Sequence, residues 1–472
     1  MPVAAFVDLG KDIYDQHGVY SLIAVLKKNG VQVHYVGRAS AGRMIRKLQA
    51  LGADALLYSS FSHTLDHYAA FDRIAKQALP RVVSVIGGPG PTLSPHELKD
   101  STIDAYCVGE GEQSLVGFLR GGFTSYGNIR RRDEGFSQRA LLPLADLDAL
   151  PLPDRDVVYG ADSLLRDAPS KQFFSGRGCP YDCTYCVNHS FRELFKGLGP
   201  VMRKKSVGYV LEEIRSVRAK YPLGNVVFND DLFIMDKKWL WEFAERYPRE
   251  IGLPYTCNIR ANLVDEDVVR ALKDSGCRGT NWSIECGDAQ LRNEVLRRNM
   301  TDEHILRTGE LLAKYRIPNR IGNLIAIPGE NRGQMLKTVE MNIRCRPTLA
   351  IGSIFTPYPG LRLTQYAIDK GYYTPRPAGD LPHNCYRRSV LNISRADNRW
   401  VQKLMCLFPV FVRFPGLYAR RGVRRFLWAL PIFLLRPVRE LVFTMGMIRL
   451  YIAKTPLRLR LRMAMRYIRN LW

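Results

Sequence analysis

Ser175-Gly-Arg-Gly-Cys-Pro-Tyr-Asp-Cys-Thr-Tyr-Cys186 places three of the chain's ten cysteines close together, at Cys179, Cys183 and Cys186. Ten cysteines in 472 residues are too few for a disulfide scaffold, so this triplet indicates a metal site in a reducing compartment. Iron–sulfur clusters are held by thiolates, usually four, and three ligands leave one iron open to a substrate. The alternative is a zinc site with a distant fourth ligand such as His189, although zinc prefers a second pair of ligands downstream.

Strand and helix patterns alternate around and beyond the triplet. The first strand is predicted near Phe173, and strand patterns recur at residues 226–229, 255–260, 280–285, 320–327 and 351–356. Helical patterns such as residues 207–220 and 301–315 lie between them. Six such units predict a partial (β/α)6 barrel over residues 171–373, with its chemistry at the carboxyl ends of the strands.

The first 140 residues show a second α/β alternation. Strand patterns lie at residues 3–9, 31–36, 53–58, 82–86 and 102–108, and helical patterns at residues 18–28, 67–78 and from about 113. This spacing predicts a doubly wound, flavodoxin-like parallel sheet, which binds ligands beyond the carboxyl ends of its strands. The residues expected there are Ser59, Ser60, Gly87, Gly88, Gly109, Glu110, Gly111 and Glu112.

Composition changes suggest where the domains begin and end. We predict an N-terminal domain over residues 1–140, a linker over 141–170 that begins with a Pro-, Leu- and Asp-rich stretch, and the barrel over 171–373. Residues 374–400 are loop-rich and are expected to cover the barrel mouth, and residues 401–472 form a basic C-terminal region. The candidate cover residues are Pro375, Pro377, His383, Asn384 and Cys385.

The charge of the chain is concentrated in that C-terminal region. Lys and Arg number 69 against 45 Asp and Glu, which gives +24, and residues 401–472 supply +14 of it with fifteen basic residues and Glu440. The region is also rich in Phe, Leu and Trp, and amphipathic helices of this kind are typical of a membrane interface. One predicted helix places Arg458, Arg462, Arg466 and Arg469 opposite Leu457, Leu461, Met465 and Ile468. A helical extension packed on the barrel and a nucleic-acid-binding arm remain alternatives.

No segment has the features of a membrane span or an export signal. The longest uncharged apolar run, residues 426–435, has ten residues and contains Pro431, whereas a spanning helix needs about 20. The N-terminus lacks a basic stretch followed by a long apolar stretch and a cleavage site. We therefore expect a cytoplasmic protein, peripheral at the inner face of the membrane.

The triplet spacing, with the aromatic Tyr185 before the last cysteine, resembles the radical S-adenosylmethionine (radical SAM) superfamily over about residues 171–373. The resemblance implies a 4Fe-4S cluster on Cys179, Cys183 and Cys186, and a Tyr185 ring that packs on the adenine of S-adenosylmethionine. It also implies further S-adenosylmethionine contacts at the strand ends, although each of these polar residues could equally cap a helix. The candidates are Asp230, Asp231, Arg260, Ser283, Glu285 and Glu330.

A doubly wound domain and a Leu- and Pro-rich linker ahead of such a barrel resemble the cobalamin-binding class of this superfamily. The resemblance implies that cobalamin contacts the strand-end residues between Ser59 and Glu112 given above. Some cobalamin modules also carry a D-x-H-x-x-G motif whose histidine ligates cobalt. Asp15-Gln16-His17 keeps the first half of it, but Tyr20 stands where the glycine should be. A bond from His17 to cobalt therefore stays open, against an ordinary loop histidine beside a helix.

The other cysteines are expected to be core residues, since free cysteine is among the most buried residue types. Cys286, next to Glu285, is the one that could approach the site. Because Cys107 is the single cysteine of the N-terminal domain, a second cluster of the methylthiotransferase kind is disfavoured. The full set is Cys107, Cys257, Cys277, Cys286, Cys345, Cys385 and Cys406.

The resemblance implies a cobalamin-dependent C-methyltransferase that acts on an unactivated carbon through a deoxyadenosyl radical. The basic, apolar C-terminal region favours a hydrophobic substrate such as a lipid, isoprenoid or tetrapyrrole. An electron donor such as flavodoxin or ferredoxin is implied as a partner. The alternatives are a cyclase, oxidative or carbon–carbon coupling enzyme with the same cofactors, and a non-catalytic regulator on the membrane surface.

Overall fold

The structure is a computed structural model that describes residues 2–10, 15–137, 140–376, 380–382 and 386–452. Within these residues the chain forms two six-stranded sheets and a small two-stranded one. The same part of the chain contains no helix that is both long and apolar enough to cross a membrane. Pro377, His383, Asn384, Cys385 and the amphipathic pattern of residues 457–469 lie outside the described residues.

The first sheet has the predicted doubly wound arrangement. Its strands run in the order β2-β1-β3-β4-β5-β6, and all pairs are parallel except β5 with β6. The strands are β1 (Val3–Asp8), β2 (Gln32–Gly37), β3 (Ala55–Ser59), β4 (Val83–Gly87), β5 (Ala105–Cys107) and β6 (Ile129–Arg131). The helices are α1 (His17–Lys28), α2 (Ala41–Leu51), α3 (Leu65–Ala78), α4 (Pro89–Leu93) and α5 (Glu112–Arg120). The sequence pattern missed β6 because it is a three-residue edge strand with two arginines.

Apolar clusters cover both faces of this sheet, as a doubly wound fold requires. One cluster includes Val158, Tyr159 and Leu165 from the segment that was predicted to be a linker. These residues lie on two short helices, α6 (Asp156–Ala161) and α7 (Ser163–Asp167), whereas residues 141–155 have no regular structure apart from turns. The second half of the linker thus packs as part of the N-terminal domain, and the predicted domain boundaries stay predictions.

The second sheet is fully parallel and runs in chain order from β7 to β14, as expected of a partial barrel. Its strands are β7 (Ser170–Phe173), β10 (Asn225–Phe228), β11 (Tyr255–Asn258), β12 (Cys277–Glu285), β13 (Asn319–Ile325) and β14 (Leu349–Ile354). The remaining two strands, β8 (Gly176–Arg177) and β9 (Arg203–Lys204), pair with each other in the separate two-stranded sheet. Its helices are α8 (Val187–Leu194), α9 (Val207–Lys220), α10 (Lys237–Glu250), α11 (Glu266–Asp274), α12 (Asp302–Lys314), α13 (Arg332–Cys345) and α14 (Arg362–Asp369).

The helices α9 to α13 begin where the sequence provides a capping side chain. Ser206, Asp236, Asp265, Thr301 and Asn331 each accept a hydrogen bond from the backbone N–H of the third residue after them. Each cap stabilises its helix by about 1 kcal/mol. These local signals explain why the predicted helix limits of residues 207–220 and 301–315 agree with the structure.

The C-terminal region divides into a buried and an exposed part, which corrects one expectation. The first helix, α15 (Arg395–Arg413), packs against β14 and α13, and Phe408 and Phe411 are fully buried there. The apolar stretch around Phe408 therefore belongs to the barrel core and not to a membrane-binding face. The remaining helices are α16 (Pro415–Ala419), α17 (Arg421–Ala429) and α18 (Ile432–Met447). Exposed apolar side chains are frequent only in these later helices and the segments that connect them.

Candidate active site at the junction of the two sheets

The three cysteines lie in one loop between the first barrel strand and helix α8. Gly178 opens this loop with a φ of +85°, and a Cβ atom there would lie 2.2 Å from the carbonyl oxygen of Val201. Only glycine fits such a position, which explains the Gly-Cys pair in the sequence. Cys183 is buried, and Cys179 and Cys186 are half-buried.

Two of the cysteine sulfurs accept a hydrogen bond from a side chain. Arg260 Nη1 donates to Cys183 Sγ at 3.7 Å, and Asn188 Nδ2 donates to Cys186 Sγ at 3.6 Å. In the free chain, burial raises the pKa of Cys186 to about 11, whereas metal ligation deprotonates a thiol outright. Hydrogen-bond donors that point at sulfur stabilise thiolates, so the loop fits a cluster held by three cysteines.

Within the described residues, no group of three or more His, Cys, Asp or Glu side chains forms a site for a metal ion. In a four-iron cluster each thiolate binds a different iron, so the three sulfurs need not converge on one point. His189, the alternative zinc ligand, has its two ring nitrogens engaged. Its Nδ1 donates to the Cys183 carbonyl oxygen at 3.1 Å, and its Nε2 lies 3.2 Å from Ser190 Oγ. His189 therefore supports the backbone of the loop and is not placed as a ligand.

Tyr185 is tied to the ends of the barrel strands. Its hydroxyl donates to Glu285 Oε1 at 3.2 Å and accepts from Arg298 Nη1 at 2.8 Å. Glu285 ends β12 with a φ of +66°, a strained conformation that often marks functional sites. Arg298 also donates to the backbone carbonyl of Ser283. The structure thus brings Tyr185 and Glu285 close to the backbone of Ser283, and adds Arg298, for which the sequence offered no signal.

Two of the predicted S-adenosylmethionine contacts have side chains that are already engaged within the protein. The Asp230 carboxylate accepts from Ser175 N at 3.0 Å and from Ser175 Oγ at 2.5 Å, and Lys204 Nζ lies 3.4 Å away. Arg260 donates to Cys183 Sγ, to Asn262 and to the Arg298 carbonyl. Asp231 has an accessible side chain whose carboxylate accepts a hydrogen bond from Asn188, and partial burial raises the pKa of this carboxyl group.

Glu330 is a strand-end residue with a buried carboxyl group. Burial raises the pKa of its carboxyl group to about 8, although a backbone N–H from Ile327 at 3.1 Å lowers it in part. Cys286 Sγ lies 3.7 Å from Glu330 Oε1. Cys286 thus lies beside one of the candidate contacts, and its approach to the site stays a prediction. Burial also raises the pKa of Cys286, so its thiol stays protonated and unreactive.

The two loops that are predicted to contact cobalamin differ in which polar groups remain available to a ligand. Ser60 Oγ is buried and has no hydrogen-bond partner among the described residues, while Ser59 is exposed. Gly88 has a φ of +97°, and a Cβ atom there would lie 2.6 Å from the Ser60 carbonyl oxygen. An unpartnered buried hydroxyl beside a glycine pair fits the polar part of a large ligand.

The second loop, Gly109 to Glu112, is used to join the two domains. Arg177 donates to Glu112 Oε1 at 2.6 Å and lies 3.0 Å from Glu110 Oε1, and Arg203 also donates to Glu110. Phe195 lies over Gly109, where a Cβ atom would come within 2.3 Å of its ring. The two glutamates are therefore not available as free ligands, and the loop offers its backbone. Arg177, Arg203 and Phe195 were not identified from the sequence, because nothing in the chain order pairs them with residues 109–112.

His17 begins α1 at this same junction. Its ring lies 4.6 Å from the Phe174 ring, and its Nε2 has no hydrogen-bond partner among the described residues. Burial and then the charge of Arg155 lower its pKa to about 3, so the imidazole is neutral. Its neighbour Asp15 lies 3.7 Å from Arg155, which also contacts Glu213 at 3.1 Å. A neutral, unpartnered nitrogen is compatible with metal ligation, and the question of a bond from His17 to cobalt stays open.

Family comparisons agree with this arrangement. A model described as "B12 binding domain" matches residues 6–119, and one described as "Radical SAM superfamily" matches residues 173–341. The chain belongs to the cobalamin-binding radical SAM family. Membership implies cobalamin, S-adenosylmethionine and a 4Fe-4S cluster as cofactors, and the cysteine loop and the Ser60–Gly88 region are compatible with them.

Among the curated proteins that are similar to this chain, three are spanned by it over less than two thirds of their own length. An uncharacterized methyltransferase, PH0819 of Pyrococcus horikoshii, is 27% identical over 63% of this chain and 65% of its own length. The anaerobic magnesium-protoporphyrin IX monomethyl ester cyclase of Cereibacter sphaeroides is 23% identical over 74% of this chain and 60% of its own. The hopanoid C-3 methylase of Methylococcus capsulatus is 25% identical over 67% and 61%.

Two solved structures share the fold. The cobalamin-dependent S-adenosylmethionine radical enzyme OxsB superposes with a TM-score of 0.69 at 12% identity, over 98% of this chain and 74% of OxsB. The radical S-adenosylmethionine methyltransferase TsrM from Kitasatospora setae superposes with a TM-score of 0.65 at 16% identity, over 79% of this chain and 78% of TsrM. The two-domain fold is therefore that of known cobalamin-dependent radical enzymes.

Proposed function

We propose that the chain is a cobalamin-dependent radical SAM C-methyltransferase that acts on an unactivated carbon of a hydrophobic substrate. The observation that supports it most is the shared junction: Arg177, two residues before Cys179, bonds to Glu112 at the strand ends of the cobalamin-binding domain. Radical formation and methyl donation must act on one carbon, so the two cofactor sites have to face each other. When bound, the cluster and S-adenosylmethionine supply hydrogen abstraction and cobalamin supplies the methyl group.

On the barrel side, the chain's own residues hold and orient the cofactors. We propose that Cys179, Cys183 and Cys186 ligate three irons, and that Tyr185, Asp231, Ser283, Glu285 and Glu330 contact S-adenosylmethionine. Asp230 acts differently, because its carboxylate is bonded to Ser175 and buried. It holds the start of the cysteine loop in place and thereby positions the ligands.

On the N-terminal side, contacts from the backbone and from small side chains are proposed to bind cobalamin. Ser59 and Ser60 provide hydroxyls, while Gly87, Gly88 and Gly111 allow close approach of the backbone. Gly109 instead makes room for the Phe195 ring at the domain junction. Glu110 and Glu112 are assigned to the domain junction, since both bond to arginines of the barrel domain. Their role is to fix the distance between the two cofactor sites.

Methyl transfer is tested with S-adenosylmethionine labelled in its methyl group. The reconstituted chain is reduced with titanium(III) citrate and incubated with a lipid extract of the source organism. We expect 5′-deoxyadenosine together with a labelled methyl group in a lipid or tetrapyrrole product. The Cys183→Ala variant is the matched control and is expected to form neither.

Two other outcomes would favour the alternatives. An unlabelled product with 5′-deoxyadenosine would indicate cyclisation, oxidation or carbon–carbon coupling, and the similar cyclase of Cereibacter sphaeroides makes this the first rival. Absence of 5′-deoxyadenosine from cluster-loaded protein under every condition would favour a non-catalytic regulator. The hydrophobic substrate class is supported by the similarity to a hopanoid methylase and by the exposed apolar side chains of α17 and α18.

We further propose that α17 and α18 dock on an anionic membrane surface and keep the enzyme peripheral at the cytoplasmic inner face. Eight of the fourteen exposed large apolar side chains in the described part of the chain lie between Phe414 and Ile448. They are Phe414, Phe426, Phe433, Leu434, Val438, Leu441, Met445 and Ile448, and exposed arginines such as Arg421, Arg425 and Arg436 stand among them. Apolar insertion beside cationic side chains suits anionic lipid headgroups.

Co-sedimentation with phosphatidylglycerol vesicles tests this surface. The double variant Phe426→Ser, Phe433→Ser should lose at least about tenfold in binding, since each large apolar side chain contributes about 1.5 kcal/mol or more when buried. Trp241→Ser removes an exposed aromatic side chain on α10 and serves as the control. Equal losses in both variants, or none, would contradict the proposal.

A low-potential donor such as flavodoxin or ferredoxin is proposed to supply the electron that reduces the cluster.

A further inference from the structure

Arg260 makes an unusual set of contacts for a strand-end residue. It follows β11, its side chain is buried, and its Nη1 donates to Cys183 Sγ at 3.7 Å. The other two directions of the guanidinium group are also used: Nε donates to Asn262 Oδ1 at 2.8 Å, and Nη2 donates to the Arg298 carbonyl oxygen. Each of the three nitrogens therefore already donates a hydrogen bond within the chain, so the protein itself fixes the orientation of the guanidinium group.

The cysteine loop itself holds Arg260 in this orientation. The guanidinium carbon lies 3.6 Å from the centre of the Tyr181 ring, and Tyr181 stands between Cys179 and Cys183. The Tyr181 hydroxyl in turn accepts from Asn262 Nδ2 at 3.0 Å. A cation stacked on this ring and bonded on three sides cannot turn away from the sulfur without losing all of these contacts.

We propose that Arg260 raises the reduction potential of the cluster through its charge and its hydrogen bond to the Cys183 sulfur, as a positioning residue and not as an S-adenosylmethionine ligand. The inference rests on the cluster that family membership implies and does not depend on methyl transfer. Reduction adds one negative charge to the cluster. A fixed cation in a buried site stabilises that charge, and hydrogen bonds to cluster sulfurs shift the potential in the same direction.

The second donor to the triplet provides an internal comparison. Asn188 offers Cys186 a neutral amide at 3.6 Å, nearly the same distance as that from Arg260 to Cys183. If charge is the main contribution, removal of the arginine should shift the potential more than removal of the amide. Both substitutions leave the three cysteines themselves in place.

The test measures the cluster potential in the absence of substrate. Full-length wild-type, Arg260→Lys, Arg260→Gln, Arg260→Met and Asn188→Ala proteins are reconstituted with iron and sulfide, assayed for iron and titrated with titanium(III) citrate. The signal is the electron paramagnetic resonance of the reduced cluster. Arg292→Met is the control, because Arg292 is also buried but bonds to carbonyl oxygens and Asp302.

We expect the ratio of reduced to oxidised cluster at a fixed potential to fall at least tenfold in Arg260→Met, a shift of about 59 mV for a one-electron couple. Arg260→Gln should fall less, Arg260→Lys should stay near wild type, and Asn188→Ala should shift less than Arg260→Met. The ranking of lysine above glutamine identifies charge as the cause.

Three results would overturn the proposal. The first is an unchanged potential in Arg260→Gln or Arg260→Met with a full complement of iron. The second is an equal shift in Arg292→Met. The third is loss of iron from all three Arg260 variants while Arg292→Met retains it, which would assign Arg260 to holding the loop. If only Arg260→Met loses iron, the comparison of lysine with glutamine decides.

Discussion

The two sides of the domain junction offer different kinds of contact to their expected cofactors. On the barrel side, charged and polar side chains surround the cysteine loop, and Arg260 and Asn188 point at its sulfurs. On the N-terminal side, glycine backbone and the free Ser60 hydroxyl are offered, while Glu110 and Glu112 are bonded to arginines across the junction. A cluster needs specific ligands and charge control, whereas a large flat ligand needs space and many weak contacts.

This difference predicts that single substitutions act strongly on the barrel side. Cys183→Ala should reduce iron from about four per chain to below about one, because a cluster with two thiolate ligands is not retained. Product formation should vanish with it. Iron and sulfide analysis of reconstituted protein provides the measurement.

Cys286→Ala is the matched control, since Cys286 is a buried free thiol outside the triplet. The Cys286→Ala protein should keep its full complement of iron. Equal loss in both variants would mean that damage to the core, and not a missing ligand, removes the cluster.

The next largest effect is expected when the contact between Arg177 and Glu112, which joins the two sides, is removed. Arg177→Met leaves Glu112 buried without its cation and should lower the free energy of unfolding by about 2 to 3 kcal/mol, less than for a fully buried pair because the Arg177 side chain is 31% exposed. Urea unfolding measures the loss. Arg215→Met, which breaks an exposed pair with Glu250, should cost much less than Arg177→Met.

The pH dependence of that loss follows from Glu112. Burial alone would raise the pKa of Glu112, but the charge and hydrogen bond of Arg177 outweigh it, and the net pKa is lowered. A lowered folded-state pKa contributes stability that is complete above the ordinary glutamate pKa of about 4.3 and disappears as the pH falls through the folded value. The gap between wild type and Arg177→Met should therefore narrow below about pH 4, and a gap that widens there would contradict the assignment.

A smaller effect is expected from the N-terminal side, where many weak contacts share the binding. Ser60→Ala removes one hydrogen-bonding hydroxyl and should weaken cobalamin binding about fivefold, or about 1 kcal/mol. Equilibrium dialysis against hydroxocobalamin measures it. Ser84→Ala, within β4 and bonded to Asp104, is the control and should leave affinity unchanged.

The smallest effect is expected for His17→Ala. In the wild type the Phe174 ring packs 4.6 Å from the imidazole ring and keeps His17 within the junction. We therefore expect the cobalamin absorption spectrum of the variant to equal that of the wild type. A shifted spectrum in this variant, with none in His34→Ala on the exposed side of β2, would establish a cobalt bond and reverse this expectation.

Strand and helix order was predictable from local patterns because each element carries its own signal. The buried apolar runs of β1, β3 and β4 and the capping residues of α9 to α13 are visible in the sequence, and their limits agree within a few residues. The edge strand β6 was missed because two of its three residues are arginines. The helix α15 was misjudged because its apolar face resembles a membrane-binding face until its neighbours β14 and α13 are known.

The cysteine triplet, the glycine-rich loops and the charge of the C-terminal region were determined by the sequence alone, since each depends on residues close together in the chain. Only the tertiary structure decided which side chains remain free. Glu110 and Glu112 look like ligands in sequence but bond to Arg177 and Arg203, and Arg260 looks like a substrate contact but bonds to Cys183. The physical reason is that a buried charge must find a partner, and these partners come from distant parts of the chain.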